Sequence, residues 1–384
     1  MQERLKCVVV GAGIGGLTVA AALAEAGIEV AVLEQADVLT TVGAGLTVQP
    51  NAVLALQRLG LVGDLPDVAR VLDSVTICDA AGRVLSALGP NEAAALRIAV
   101  GAPAWGLHRA TLQHHLLAAA MSRGVHVRTS AQAGAVDAAH ATVTLVDGER
   151  ISGDILIGAD GLDSQVRTGV LGRHPPRYSG YTCWRGVSAE AEFPPDWAGE
   201  FWGAGRRFGG CGIDGDRWYW FAVVTTSAGG RDRLGAKSSV TRLVAGFPAK
   251  VRALVASTPE ADIFRTDIYD RAPSDTWGTG PTTLLGDAAH AMTPNLGQGA
   301  CQAIEDALVL RDRVVALGCT PAALREYETQ RRPRANEVVA RAAQFGRIAQ
   351  WQAPVAVALR NTALRLTPSQ VLSRQLRTGW TLPY

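Results

Sequence analysis

Residues 11–16 read Gly-Ala-Gly-Ile-Gly-Gly, directly after the apolar run Cys7–Val10 and directly before small and apolar residues that continue to Ala26 and stop at Gly27. A second apolar run, Val30–Leu33, ends on Glu34, 18 residues beyond Gly16. Strand, glycine turn, helix, strand and acid in this order make one dinucleotide-binding unit. Gly11 permits the tight turn, and Gly13 lets the backbone approach a pyrophosphate. Gly16 brings the helix close to the sheet, with Gly15 in the same loop. Glu34 is spaced to accept the hydroxyls of an adenosine ribose and disfavours a 2′-phosphate, which points to FAD or NAD rather than NADP.

The same pattern of glycines recurs at Gly210-Cys211-Gly212-Ile213-Asp214-Gly215, but it runs into Trp218-Tyr219-Trp220-Phe221 rather than into a helix. No helix N-terminus would then face a phosphate, so Asp214-Gly215 is expected to be a hairpin turn between two strands.

With 384 residues the chain is long enough for two domains, or for one large domain with a second unit embedded in it. A net charge of +2 gives no electrostatic argument for nucleic acid or a membrane surface. The cluster Arg331-Arg332-Pro333-Arg334 is expected on a solvated or salt-bridged helix face. Six scattered cysteines lack any CxxC or metal-ligand spacing, which suits reduced thiols and predicts a cytoplasmic protein without a metal. No apolar run approaches the 18 or so residues needed to span a bilayer.

Patterning predicts helices over 14–26, from Pro50-Asn51 to Leu59 and over Arg109–Ser122, and strands at 46–48, around the Ala81-Gly82 turn within Val71–Leu88, and between Val125 and Ile157. Residues 172–275 carry Trp184, Trp197, Trp202, Trp218 and Trp220 with alternating patterns and little helical signal. They read as an antiparallel sheet whose aromatics either roof a pocket or form a plain sheet core. Strand, loop and helix return over 282–318, and helices broken at Pro354 and Pro368 fill the rest. Accordingly 1–75, 101–171 and 276–320 are assigned to a nucleotide domain. Residues 76–100 and 172–275 form an inserted β-sheet substrate domain, and 321–384 a C-terminal helical segment.

Two further segments carry chemistry. Gly153–Arg167 is a buried strand running into the polar turn Asp160-Gly161, and Leu284–His290 contains Gly286-Asp287, followed by Pro294 and by Gly297–Asp306. Each sets an aspartate at the end of an apolar strand, where parallel α/β sheets bind ligands. With the glycine turn, these segments resemble the DG and GD motifs of the single-component FAD-dependent monooxygenases, the para-hydroxybenzoate hydroxylase family. Tyr178-Ser179-Gly180-Tyr181-Thr182-Cys183-Trp184 is similar to the branch containing urate hydroxylase, salicylate-type hydroxylases and zeaxanthin epoxidase.

The resemblance implies an α/β chain with a Rossmann-like FAD-binding fold, an inserted antiparallel sheet and a helical C-terminus. It implies bound FAD, NAD(P)H as a transient co-substrate, and oxygen transfer from a flavin C4a-hydroperoxide to an aromatic or heteroaromatic small molecule. Gln35, Thr47, Arg109 and Ala131 fall at FAD-contacting positions. Asp160 and Arg167 serve the FAD and NAD(P)H sites or, alternatively, form a structural ion pair. Asp287 is expected on a ribityl hydroxyl, and Gly297, Gln298, Gly299, Ala300 and Cys301 at a helix N-terminus whose amides face the flavin pyrimidine ring. Pro294 shapes the nearby wall. Arg207 and Tyr219 fall where urate hydroxylase holds its substrate, or else are an exposed strand residue and a core residue. Asn295 stands where that enzyme has an aspartate, which argues against urate itself. Alkene epoxidation and a non-catalytic FAD protein that sequesters an aromatic ligand remain as rivals. Monomer and dimer are both open.

Overall fold

The structure, a computed structural model, describes residues 5–39 and 43–384. Its first layer is a largely parallel sheet in which the strand Leu5–Val10 lies between Val30–Leu33 and Arg150–Gly158, with Thr282–Leu284 beyond the latter. The register decides where the motifs meet. Val10 pairs with both Leu33 and Gly158, and Gly158 pairs with Leu284. Gly11, Glu34, Ala159-Asp160 and Leu285-Gly286-Asp287 therefore leave the carboxyl edge at one level. The helix Ile14–Glu25 packs against this sheet and against the long helix Gly299–Leu317. Its buried Leu17, Val19 and Leu23 are fully covered, which stabilises by about 1.5–3 kcal/mol per large side chain.

The second sheet has seven strands in the order Phe264–Asp270, Arg177–Ser188, Trp218–Thr225, Arg206–Gly212, Trp197–Trp202, Ser74–Asp79 and Val84–Leu88. It is antiparallel except where Trp197–Trp202 runs parallel to Ser74–Asp79. Asp214-Gly215 joins two of its strands as a hairpin turn, as expected. Two helices, Ala236–Val244 and Ala249–Ser257, cover one face, so the reading of 172–275 as nearly helix-free needs correction. Val251, Leu254 and Val255 carry the helical spacing that reveals one of them. The helix Pro90–Val100 was likewise not anticipated.

The aromatics divide by strand alternation. Trp184, Trp197, Trp218 and Trp220 join Phe193, Phe201 and Phe208 against the covering helices, a plain core. Trp202 points the other way, edge-on to Phe345 and under the Arg360 guanidinium. That other face, with Cys183, Arg185, Tyr219, Phe221 and Cys211, looks toward a small third sheet of Gly45–Val48, Arg70–Val71 and Trp105–His108. Glycines allow the approach: a Cβ on Gly106 would lie 2.0 Å from the Gly212 carbonyl oxygen, and one on Gly45 would lie 2.2 Å from Tyr219 Cβ.

The C-terminal helices Pro321–Ala349, Pro354–Leu366 and Ser369–Trp380 begin at or beside prolines, which serve as helix starts as much as breaks. Arg331 is not on a solvated face. It is fully buried between Glu305 and Asp306, both 2.7 Å away, while Arg334 reaches Glu305 at 2.8 Å.

Candidate functional site

The glycine turn is a steric device first. A Cβ on Gly16 would sit 2.0 Å from the Gly11 carbonyl oxygen, and one on Gly11, whose φ is +104°, would sit 2.4 Å from the Ala159 carbonyl oxygen. Gly15 faces Leu285 and Ala303, so it packs helix against helix. Gly13 alone of the four looks into open space, the direction a pyrophosphate would occupy. Glu34 accepts hydrogen bonds from Ala12 N at 2.7 Å and Ala36 N at 2.9 Å, one per oxygen. Each oxygen keeps a lone pair for a ribose hydroxyl. Gln35 is exposed beside it, and the buried Ala131 gives its amide to the Glu34 carbonyl at 2.8 Å. Arg109, at the first turn of the helix Arg109–Ser122, is exposed and lies against Gly43.

Asp160 and Arg167 form no ion pair. Asp160 caps the helix Gln165–Leu171, accepting from Ser164 Oγ at 2.5 Å, Gln165 N at 2.7 Å and Val166 N at 3.1 Å. Arg167 donates to the Ala288 and Ala289 carbonyls at 2.9 and 3.1 Å, which ties the first aspartate turn to the second. Burial, helped by the Arg271 charge, pulls its guanidinium down to about 10.

Among the otherwise buried residues Leu284–Ala289, Asp287 alone is exposed, with no hydrogen bond or ion pair to any described residue. Its Oδ1 lies 4.0 Å from the Cβ position of Gly299, where the 19-residue helix Gly299–Leu317 begins. The first amides of that helix have no intrahelical acceptor and project the positive end of its dipole. Gly297 has φ +63° and sits against the Thr47 hydroxyl, and Pro294 opens the short turn Pro294–Leu296. Gln298 and Cys301 turn their side chains inward. Gln298 joins Gln49, Asn51 and Gln302, and the Cys301 sulfur receives Gln49 N at 3.4 Å. Gln49 also donates to the Leu296 carbonyl at 2.6 Å and accepts from Trp380 Nε1 at 2.8 Å. Sequence reading missed Gln49 and Asn51. The signal was Gln49-Pro50-Asn51 joining a strand to a helix.

This constellation fits FAD. It offers an open glycine cradle, a held ribose-type carboxylate, an uncommitted aspartate and a helix N-terminus stripped of side chains.

On the opposing sheet, Arg207 is 2% exposed, donating to Glu200 at 3.1 Å and to Asn295 Oδ1 at 2.5 Å; its Nε is buried without a partner. Its charge is already compensated, and it is not an exposed strand residue. Asn295 is equally committed. Its amide lies 2.8 Å from Tyr181 Oη, 2.8 Å from Thr293 Oγ1 and 3.0 Å from the Ala342 carbonyl. It thus bolts the short turn to the sheet and to the helix Pro321–Ala349. Tyr219 packs with Leu72, Val187, Ala198, Cys211 and Ile213, and its hydroxyl is hydrogen-bonded to Arg185. Burial raises the Tyr219 phenol above its ordinary range although Arg185 opposes the rise, so the phenol is protonated at neutral pH. Arg185 is half-buried, and no described carboxylate pairs with it. Sequence reading passed over it because nothing in one sequence distinguishes a free arginine from a paired one.

A family model described as an FAD binding domain matches residues 4–342. Aurachin C monooxygenase/isomerase of Stigmatella aurantiaca is 38% identical over 98% of both chains. FAD-dependent urate hydroxylase of Klebsiella pneumoniae is 35% identical over 88% of both. The solved structure of Klebsiella pneumoniae HpxO complexed with FAD and uric acid is 32% identical, with a TM-score of 0.90 over 99% of this chain and 97% of that one.

Proposed function

This chain belongs to the FAD binding domain family, among its FAD-dependent monooxygenases, and we propose that it hydroxylates an aromatic or heteroaromatic small molecule with NAD(P)H as reductant. The observation that carries the reading is the common level of Gly11, Glu34 and Asp287 at one sheet edge, with Tyr219 and Arg185 on the sheet opposite. Bound FAD supplies the redox chemistry that activates molecular oxygen.

The residues of the chain do the rest. Asp287 accepts a ribityl hydroxyl, and the Gly299 and Ala300 amides set a positive field at the pyrimidine end of the ring. Arg185 attracts an acidic oxygen of the substrate and lowers its pKa, which enriches the attached ring in electrons. Tyr219, protonated, donates a hydrogen bond to a ring heteroatom or oxygen. The apolar wall of Leu72, Val187, Ala198 and Ile213 excludes water. Arg207 and Asn295 act as positioning residues, tying the sheet to the turn Pro294–Leu296. Replacement of the urate enzyme's aspartate by Asn295 supports a substrate other than urate. All six cysteines are free thiols, which supports a reducing, cytoplasmic setting. No described helix is long and apolar enough to cross a membrane.

The test is stopped-flow reduction of the holoprotein by NADH and by NADPH, with oxygen uptake, across a panel of phenols, quinolones and purines. At least one member should accelerate flavin reduction and yield a product heavier by one oxygen. If none accelerates reduction, the protein is not a hydroxylase of this class. An epoxide from an olefinic member would favour the rival chemistry instead.

A further inference from the structure

The net charge of +2 conceals a segregation. All 35 acidic side chains lie before residue 338, while 338–384 contains six arginines and no Lys, Asp, Glu or His. The body is thus net negative and the tail carries +6 from its side chains. Within the tail only Arg341 and Arg365 pair with a carboxylate among the described residues, and Arg360 is buried. Arg347, Arg374 and Arg377 are exposed with no ion pair to a described residue.

The same segment exposes large apolar side chains. On the helix Pro354–Leu366, Val355 is 73% exposed, Leu359 65% and Leu366 76%. Spacings of four and eleven residues set all three within about 40° of one another on the helix surface. Trp351 precedes this stripe and Val371 follows it, both exposed. Pro354–Leu366 and Ser369–Trp380 both contact the strand Val84–Leu88, so they lie side by side at one edge of the seven-stranded sheet. Arg374 and Arg377, with Ser369, Ser373 and Thr378 and the carboxylate of Glu92, line a surface groove of about 590 Å³ between the last helix and Pro90–Val100; Glu92 is engaged by the Gly89 amide at 2.8 Å.

We propose that the C-terminal helices, through the exposed Val355/Leu359/Leu366 stripe of one and the cations Arg347, Arg374 and Arg377 of its two neighbours in sequence, dock the enzyme on the surface of an anionic phospholipid bilayer. An exposed apolar stripe suits insertion at the lipid interface, and unpaired arginines on the adjoining helices suit anionic headgroups. A second copy of this chain is a poor occupant, because an isologous contact would oppose arginine to arginine. Nucleic acid would leave the Val and Leu stripe uncovered. The proposal is independent of the substrate reading.

The experiment is co-sedimentation of the FAD-loaded protein with vesicles of phosphatidylcholine alone and of phosphatidylcholine with 30% phosphatidylglycerol. Binding at low salt should be at least tenfold greater to the anionic vesicles and should weaken at high salt. Leu359→Asp/Leu366→Asp and Arg374→Glu/Arg377→Glu should each reduce it at least fivefold, with the flavin spectrum unchanged. Arg231→Glu/Arg233→Glu, an exposed pair on the body, should not. Three results would overturn the proposal: no sedimentation with anionic vesicles, equal binding to neutral ones, or equal losses in all three variants. Sedimentation velocity without lipid supplies a fourth, a dimer abolished by Leu359→Asp/Leu366→Asp, which would give the stripe to a second copy.

Discussion

At the carboxyl edge of the parallel sheet, the groups that face the cleft are glycine turns, helix-start amides, the Glu34 carboxylate and Asp287, which has no partner among the described residues. Facing them, the polar side chains are mostly spoken for: Arg207 of the opposing sheet by Glu200 and Asn295, and Asn295 of the short turn by Tyr181, Thr293 and Ala342. The Arg185–Tyr219 pair offers a charge that no described carboxylate balances. One wall is shaped for a ligand by what it lacks, the other by which of its groups stay unpaired.

Truncating Arg207 tests this contrast most severely. Arg207→Ala should cost about 3–5 kcal/mol of stability, because it removes the counter-charge of Glu200 and the donor to Asn295 Oδ1, and thermal unfolding will read the loss. A normal melting temperature with only a raised KM would instead mean that Arg207 serves the substrate directly. Gly16→Ala tests the other wall. Its Cβ has no room beside the Gly11 carbonyl, so about 3 kcal/mol of overpacking should leave the purified protein largely free of flavin.

Asp287→Ala removes a single charge-assisted hydrogen bond, about 1.5–3 kcal/mol, and should weaken FAD affinity roughly 10–100-fold with the fold intact. Unchanged affinity by flavin titration would show that the aspartate is only a turn residue.

Acid probes the frame behind Asp287. Burial alone would raise Asp306, but His290 at 2.6 Å and Arg331 hold it down to about 2. Its folded value lies below its ordinary one, so the stabilisation, about 2 kcal/mol, is complete above pH 4 or so and is lost as pH falls toward 2. Asp306 also accepts the Gly286 amide, so flavin release should track that loss. Asp306→Asn should flatten the profile. The smallest effect is expected from Arg185→Gln: about a tenfold rise in KM, with FAD content and melting temperature unchanged. A fall in kcat alone would move Arg185 away from substrate binding.

The parallel core and the placing of Gly11, Gly16, Glu34 and Asp287 were legible from the order of residues, because these needs are local. A tight turn, a helix start or a strand end dictates its residue within a few positions. The hairpin at Asp214-Gly215 was legible for the same reason. Tertiary structure alone decided which charges are free. Arg207 meets Glu200 across a strand pair and Asn295 from 88 residues away, and Arg331 is buried by two acids on another helix. The two helices over 236–257 depended on burying an aromatic face that alternation alone could not assign to core or pocket. Compensation of a charge and the covering of a face are properties of distant neighbours, and a chain's order of residues does not carry its neighbours in space.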